Sequence, residues 1–350
     1  MKSTTPLIAL LLLSPACSSD DDGGTTGGDL EYQEQVVTGM HSALLTDVKA
    51  LHDAAVELQA AAPAPTGRGW NETMDAAAIS AMTDAWLDAR KAYERTEGAL
   101  APLFPQIDTL IDARYEDFIE DGNPDTNLFD GEGVTGMHAI ERILFVSDTP
   151  ATVVTAEASL PGYTPAAWPA TQAEAAAFKN ELAAQLVTDT KSLLDQWQPT
   201  EIDLDLAFNG LISLMNEQRE KVNKAASEEE ESRYAQRTLA DLRDNLAGTQ
   251  RAYALFQGWL KTKPNGAAID ADILASFADL ETTYAGFPGD AIPAPPATWS
   301  AETPSAADLQ TQFGRLYSAV QAAVDPNEAG SAVDGMNRAA VELGLEFVEE

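Results

Sequence analysis

The sequence predicts an all-α protein, and three observations carry that expectation. From about residue 31 to the end, the 350-residue chain is dominated by alanine, leucine, glutamate and glutamine, residues that favour helix. Apolar positions recur at helical spacing, and alternating β-branched runs are scarce. Proline and glycine gather between the periodic stretches, above all at 147–170 (Pro150, Pro161, Gly162, Pro165) and 286–304 (Gly286, Pro288, Pro293, Pro295, Pro296). Helices are therefore expected over 31–62, 72–102, 106–119, 133–146, 171–198, 203–226, 230–260, 268–285, 305–323 and 327–347. Grouped by the long breaks, they predict two antiparallel, up-down four-helix bundles packed side by side, at 33–200 and 201–350.

The segment ahead of the helices reads as an address. Met1 and Lys2 precede an apolar stretch, Pro6 to Leu13, too short to span a bilayer as a mature helix, so residues 1–16 read as an export signal. The one cysteine, Cys17, follows Leu13-Ser14-Pro15-Ala16, the pattern of a bacterial lipoprotein cleavage site. A lone cysteine has no disulfide partner, and lipidation accounts for both its position and its solitude. Residues 17–32 then form a flexible acidic tether, beginning SSDDDGG after Cys17. The expected location is the bacterial cell envelope, lipid-anchored and facing the periplasm or the exterior. A plain secretory signal is the alternative.

With 56 acidic against 21 basic side chains, the net charge is −35. That argues against nucleic acid as a partner, because phosphate backbones are held by clustered Lys and Arg, and against simple adhesion to anionic lipid. At 45% hydrophobic residues the chain is too apolar to be a disordered acidic tail.

Only three histidines can carry metal or acid–base chemistry. His41 and His52 fall in the first long helix, where a structural role is the plain account. His138 is different, because in Gly136-Met137-His138-Ala139-Ile140-Glu141 it shares a helix face with Glu141 at i+3. Such a pair can present an imidazole nitrogen and a carboxylate oxygen to one cation, as bundle metal sites do. Thr38-Gly39-Met40-His41 repeats the same four residues with Leu44 where the acid would stand, an internal control. Upstream, Arg90, Glu94 and Glu97 share one face, and Asp108, Asp112 and Tyr115 another. Arg90, Arg95 and Arg114 interleave with these acids, so a purely structural polar network is the competing reading. In the loop Asp121–Glu132, oxygen-bearing side chains occupy positions 1, 3, 5 and 12 of a calcium-loop register. Thr126 stands where that register needs glycine, and Pro124 stiffens it; a polar surface loop is the alternative.

The Gly136–Glu141 hexapeptide matches the Gly-x-His-x-x-Glu signature of imelysin-like proteins. Tyr93-Glu94-Arg95-Thr96-Glu97, followed by Ile111-Asp112-Ala113-Arg114, resembles the stretch that precedes it in EfeO-type periplasmic iron-uptake components. Glu230-Glu231-Ser232-Arg233-Tyr234 and the run from Thr238 through Asp241 to Gly248 resemble the second-bundle segment of the same family. The resemblance implies a polar site near the junction of two bundles. Its metal ligands would be Glu94, Asp112, His138 and Glu141, supported by Arg90, Tyr93, Glu97, Arg114, Gly136 and Asp241. It implies iron or another transition metal such as zinc or copper, the membrane as partner through Cys17, and a permease or other metal-uptake component. Gln236 and Thr238 depart from the EfeO type, which tends to carry histidine and aspartate there, and the loop between Arg114 and Gly136 is longer. Three function classes follow: a metal-binding, iron-uptake lipoprotein; a non-catalytic surface protein binding an organic ligand or protein partner; and a metallopeptidase, a label the family carries although no His-Glu-x-x-His pattern occurs here. A neutral His138 ligand predicts metal binding that weakens as pH falls through about 6.5.

Overall fold

A computed structural model describes residues 27–120 and 124–347, so the signal, Cys17 and most of the tether lie outside the described residues. Among the described residues the regular elements are all helices, with no strand. The helices are α1 (Gly27–Ala61), α2 (Ala76–Glu94), α3 (Glu97–Leu103), α4 (Pro105–Asp112), α5 (Tyr115–Glu120), α6 (Gly136–Leu144), α7 (Ala151–Glu157), α8 (Gln172–Ala177), α9 (Ala183–Trp197), α10 (Leu204–Lys224), α11 (Thr238–Leu260), α12 (Gly266–Ala285), α13 (Gln312–Val324) and α14 (Ala332–Leu343). A single π-turn, Phe178–Leu182, joins α8 to α9, so the expected 171–198 helix is continuous but bulged.

Three expected helices are split or start late around the site, and those expected over 305–323 and 327–347 begin only at Gln312 and Ala332. The 72–102 helix breaks at Arg95-Thr96, where the Thr96 hydroxyl donates to the Tyr93 carbonyl at 2.9 Å and competes with the helical ladder. That break is also where α11 crosses. A Cβ on Gly248 would lie 2.3 Å from the Arg95 carbonyl oxygen, so only glycine permits the approach. The 106–119 helix splits at Ala113, whose ψ of 133° is extended. The expected 230–260 helix begins only at Thr238, because residues 230–237 turn to face α6. Conversely, the break at 147–170 contains the short α7.

Helix α1 packs along α2, α9 and α11; α10 packs against α3, α11, α13 and α14; α12 packs against α11, α13 and α14. The buried apolar residues form one connected core from Val36 to Leu345. Trp86, fully buried on α2, donates from Nε1 to the Met137 carbonyl at 2.9 Å and so fixes α6 against α2. Truncating such an indole removes about 3–5 kcal/mol of packing. The consequence for function is positional. Helices α2, α4, α6 and α11 bring their polar residues together in the interior.

Candidate metal centre

Arg90 of α2 stands at the middle of the site and is fully buried. Its guanidinium pairs with Glu94 one turn on and with Asp112 at the end of α4. It also lies 3.4 Å from Glu231 Oε2 and 3.6 Å from Asp241 Oδ2 of α11. Four carboxylates from four chain segments thus share one cation. Helix α6 closes the cluster from another side. His138 places Nε2 3.2 Å from Asp112 Oδ1 and Nδ1 2.7 Å from Glu141 Oε2. Glu141 is itself anchored, since its Oε1 accepts the backbone N–H groups of Tyr234 at 3.0 Å and Ala235 at 2.9 Å.

The backbone that aims His138 depends on one glycine. Gly136 has φ of +81°, and a Cβ there would lie 2.5 Å from the Ile111 carbonyl oxygen, one residue before Asp112. Only glycine adopts that conformation in that space, which lets α6 start directly against the end of α4. The glycine of the signature is therefore a packing requirement for the His138–Asp112 contact.

The expected ligands are brought together unequally. His138 touches Asp112 and Glu141, while Glu94 pairs with Arg90 and groups with Glu231 and Asp241. One oxygen of each of Glu94, Glu231 and Asp241 lies within 4.8 Å of the others, all buried or nearly so. Glu94 Oε1 faces the Arg90 guanidinium and Arg90 Nε faces Asp241 Oδ2 at 3.6 Å, each without an aligned hydrogen bond. The remaining expected residues take supporting places. Tyr93 donates its hydroxyl to Asp108 at 2.7 Å, and Arg114 lies 3.7 Å from Glu231. Glu97 receives Lys221 Nζ at 3.0 Å and Asn245 Nδ2 at 2.8 Å. Asp241 accepts from Ser232 Oγ at 2.5 Å and pairs with Arg237.

Glu231, Lys221 and Asn245 are site residues that the sequence reading missed. Glu231 ends the acidic run Glu228-Glu229-Glu230-Glu231, which looks like a solvated face. Its neighbour Ser232-Arg233-Tyr234 was the available signal. In the long loop, Asp125 accepts from Asn127 N at 3.2 Å and Val134 N at 3.4 Å, and Asp130 accepts from Glu132 N at 3.1 Å. These carboxylates shape the loop's own turns; Asp121, the first position of the calcium register, lies outside the described residues.

Burial and charge divide the titrating groups. Burial, together with Glu97, Asp241 and Glu231, pushes Glu94 well above the carboxylate range despite Arg90. Burial raises Asp241 as well, against the pull of Arg90 and Arg237. Burial alone would also raise Asp112, but Arg90, His138 and Arg114 outweigh it and hold the group low. Burial disfavours the His138 imidazolium, yet Asp112 and the hydrogen bonds to Asp112 and Glu141 prevail and raise it to about 9. The sequence reading placed the proton competition near 6.5; around Asp112 the ring holds its proton over a wider range.

The fold is all-helical and encloses a buried junction of one histidine, Arg90 and several carboxylates. The chain belongs to the imelysin family, whose peptidase M75 model matches residues 37–298. It is similar to an Efem/EfeO family lipoprotein of Staphylococcus haemolyticus, 28% identical over 188 residues. That match covers 54% of this chain and 52% of the relative, so the chain spans about half the length of the curated relative. An imelysin-like protein from Psychrobacter arcticum 273-4 shares the fold with a TM-score of 0.53 at 15% identity, over 92% of this chain and 96% of that one. Among the described residues no helix is long and apolar enough to cross a membrane.

Proposed function

We propose that this protein is a cell-envelope lipoprotein that captures a transition-metal ion, with iron as its cargo, at the junction of α2, α4, α6 and α11. The observation that supports this most is the convergence of Glu94, Glu231 and Asp241 oxygens within 4.8 Å, beside the Asp112–His138–Glu141 chain. Buried carboxylates are costly unless neutralised, and here Glu94, Asp112, Glu231 and Asp241 share the Arg90 guanidinium. Lys221 and Arg114 also face Glu231, Arg237 pairs with Asp241 and His138 with Asp112, so a divalent or trivalent ion would take over carboxylates that these cations now neutralise. Carboxylates with one imidazole form a mixed O/N donor set that accommodates iron, zinc and copper. Glu94, Asp112, His138 and Glu141 are the proposed ligands, and the geometry supports adding Glu231 and Asp241 to them.

The test is calorimetric titration of iron, zinc and copper into residues 18–350 and into the His138→Ala, Glu141→Ala and Glu231→Gln variants. Wild-type binding tighter than about millimolar that is lost in the variants supports the reading. Equal binding by all four proteins, or none by wild type, leaves the acids as a structural network with the arginines.

The lipoprotein description of the Staphylococcus relative supports the anchor, in which Cys17 is the first mature residue and carries lipid. Cys17→Ala should release the protein from the membrane fraction or leave it unprocessed. Unchanged processing and membrane association would refute it. A membrane permease that receives the metal is the partner this reading requires.

A further inference from the structure

On the α10 side, one polar layer separates the buried acids from solvent. A cavity of about 380 Å³ opens there, lined by Ser213, Glu217, Glu220, Lys221, Lys224 and Glu231. The Lys221 side chain is only 4% exposed, and it stands at the inner wall of the cavity. Its ammonium lies 2.9 Å from Glu231 Oε1, 3.0 and 3.1 Å from the two Glu97 oxygens, and 3.3 Å from Asn245 Oδ1. The other Glu231 oxygen, Oε2, faces Arg90 inside the cluster. Asn245 completes the wall by donating to Glu97 Oε2 at 2.8 Å and to Glu94 Oε2 at 2.5 Å. Glu231 and Asn245 therefore each have one end at Lys221 and the other at the buried acids.

We infer that this cavity is the door through which cations reach the buried acids, and that Lys221 is the positioning residue that closes it. The inference rests on the metal-binding reading above. The physical argument is charge. Glu217, Glu220 and Glu231 outnumber Lys221 and Lys224 on the cavity wall and draw a cation in, and Lys221 holds the place of a counter-ion between Glu97 and Glu231. Its flexible four-carbon stem lets the ammonium swing outward as a metal ion takes over its carboxylate partners. The rival approach passes Asp112, which is 19% exposed but flanked by the Arg90 and Arg114 guanidinium groups. Both guanidinium groups are planar forks held against Asp112 and Glu231, with no flexible ammonium to swing aside for an incoming ion.

Residues 18–350 contain no cysteine, so Ser213→Cys gives a single thiol on the cavity wall. Joining it by a disulfide to a bulky reagent plugs the cavity, and reduction unplugs it. Zinc uptake is read by stopped-flow mixing and zinc release by transfer to a chromogenic chelator. The plug should slow uptake and release together by at least about tenfold with Kd unchanged, and reduction should restore both, because a door alters rates and not the equilibrium. Lys221→Met should speed uptake by at least about tenfold. Plugged protein exchanging zinc at the wild-type rate, or Lys221→Met taking zinc up no faster, overturns the door while leaving the metal site standing. Wild type that takes up no zinc overturns the metal-binding reading and the door with it.

Discussion

Gly136→Ala tests the claim that one backbone contact positions the histidine. The native φ is +81°, a conformation that costs an alanine about 1–2 kcal/mol. The added methyl would also lie 2.5 Å from the Ile111 carbonyl oxygen and 2.7 Å from that of Leu110. Both neighbours are backbone, so no rotamer change relieves the clash and α4 has to move away from α6. Overpacking of this kind costs about 1–3 kcal/mol, giving a total near 3 kcal/mol. Gly330→Ala is the control, because Gly330 has φ of +85° with nothing within 4 Å of its would-be Cβ. It should lose only the conformational part, about 1 kcal/mol. Urea unfolding followed by tryptophan fluorescence measures both, with m unchanged if the difference lies in stability alone. Because Asp112 follows Ile111, the shift should also widen the His138–Asp112 gap and weaken zinc binding in Gly136→Ala, while Gly330→Ala binds as wild type. Equal destabilisation of the two variants would refute the reasoning.

Arg90→Met should cost about 3–5 kcal/mol in thermal or chemical melts, since Glu94, Asp112 and Asp241 lose the cation they share, and zinc should raise its Tm more than that of wild type. A variant as stable as wild type would show that Arg90 does not balance these acids. Asp108 is raised to about 7, first by burial and then by Asp112, against the hydrogen bond from Tyr93. An acid whose folded pKa lies above its unfolded value loses stability as pH rises from about 4 to 7, so Asp108→Asn should gain about 1–2 kcal/mol at pH 8, after allowing for its partial exposure, and nothing near pH 4. A gain that is independent of pH would contradict this. Glu228 has φ of +64°, so Glu228→Gly should raise stability by up to about 1 kcal/mol in the same urea assay, and a loss would mean that its side chain matters more than its backbone strain.

Helix content was legible because it is written in local propensity, which alanine, leucine and glutamate state repeatedly. The long Pro- and Gly-rich breaks were legible too, but those inside the expected helices were not, because they belong to contacts between distant segments. Nothing local in Arg95-Thr96 announces that Gly248 of α11 will rest against the Arg95 carbonyl. Nothing in residues 230–237 announces that Glu141 will take the N–H groups of Tyr234 and Ala235 and draw that stretch out of helix. The site shows the same division. His138 and Glu141 were visible because their spacing lies on one helix. Lys221 and Glu231 were hidden because each looks like an ordinary charged residue of a solvated face until the fold buries it.

The arrangement of charge bears on which ions such a site would hold. The net charge of −35 concentrates every cation near the protein without choosing among them, and salt screens it. The buried acids differ, because Arg90 and Lys221 are already present at high effective concentration as tethered monovalent partners. A sodium or potassium ion offers no more charge than the ammonium it would displace, and it forfeits hydration on entering. A divalent or trivalent ion brings more charge and directional bonds to oxygen and imidazole, so it alone gains from the exchange. On the proposed function, then, the arginine and lysine that make the site look structural are the source of its discrimination. Zinc titrations of wild type in 0.5 M potassium chloride should therefore show little loss of affinity at constant pH, a salt response about as weak as expected for buried charges. A steep fall in affinity with salt would place the bound metal on the surface, among the exposed acids.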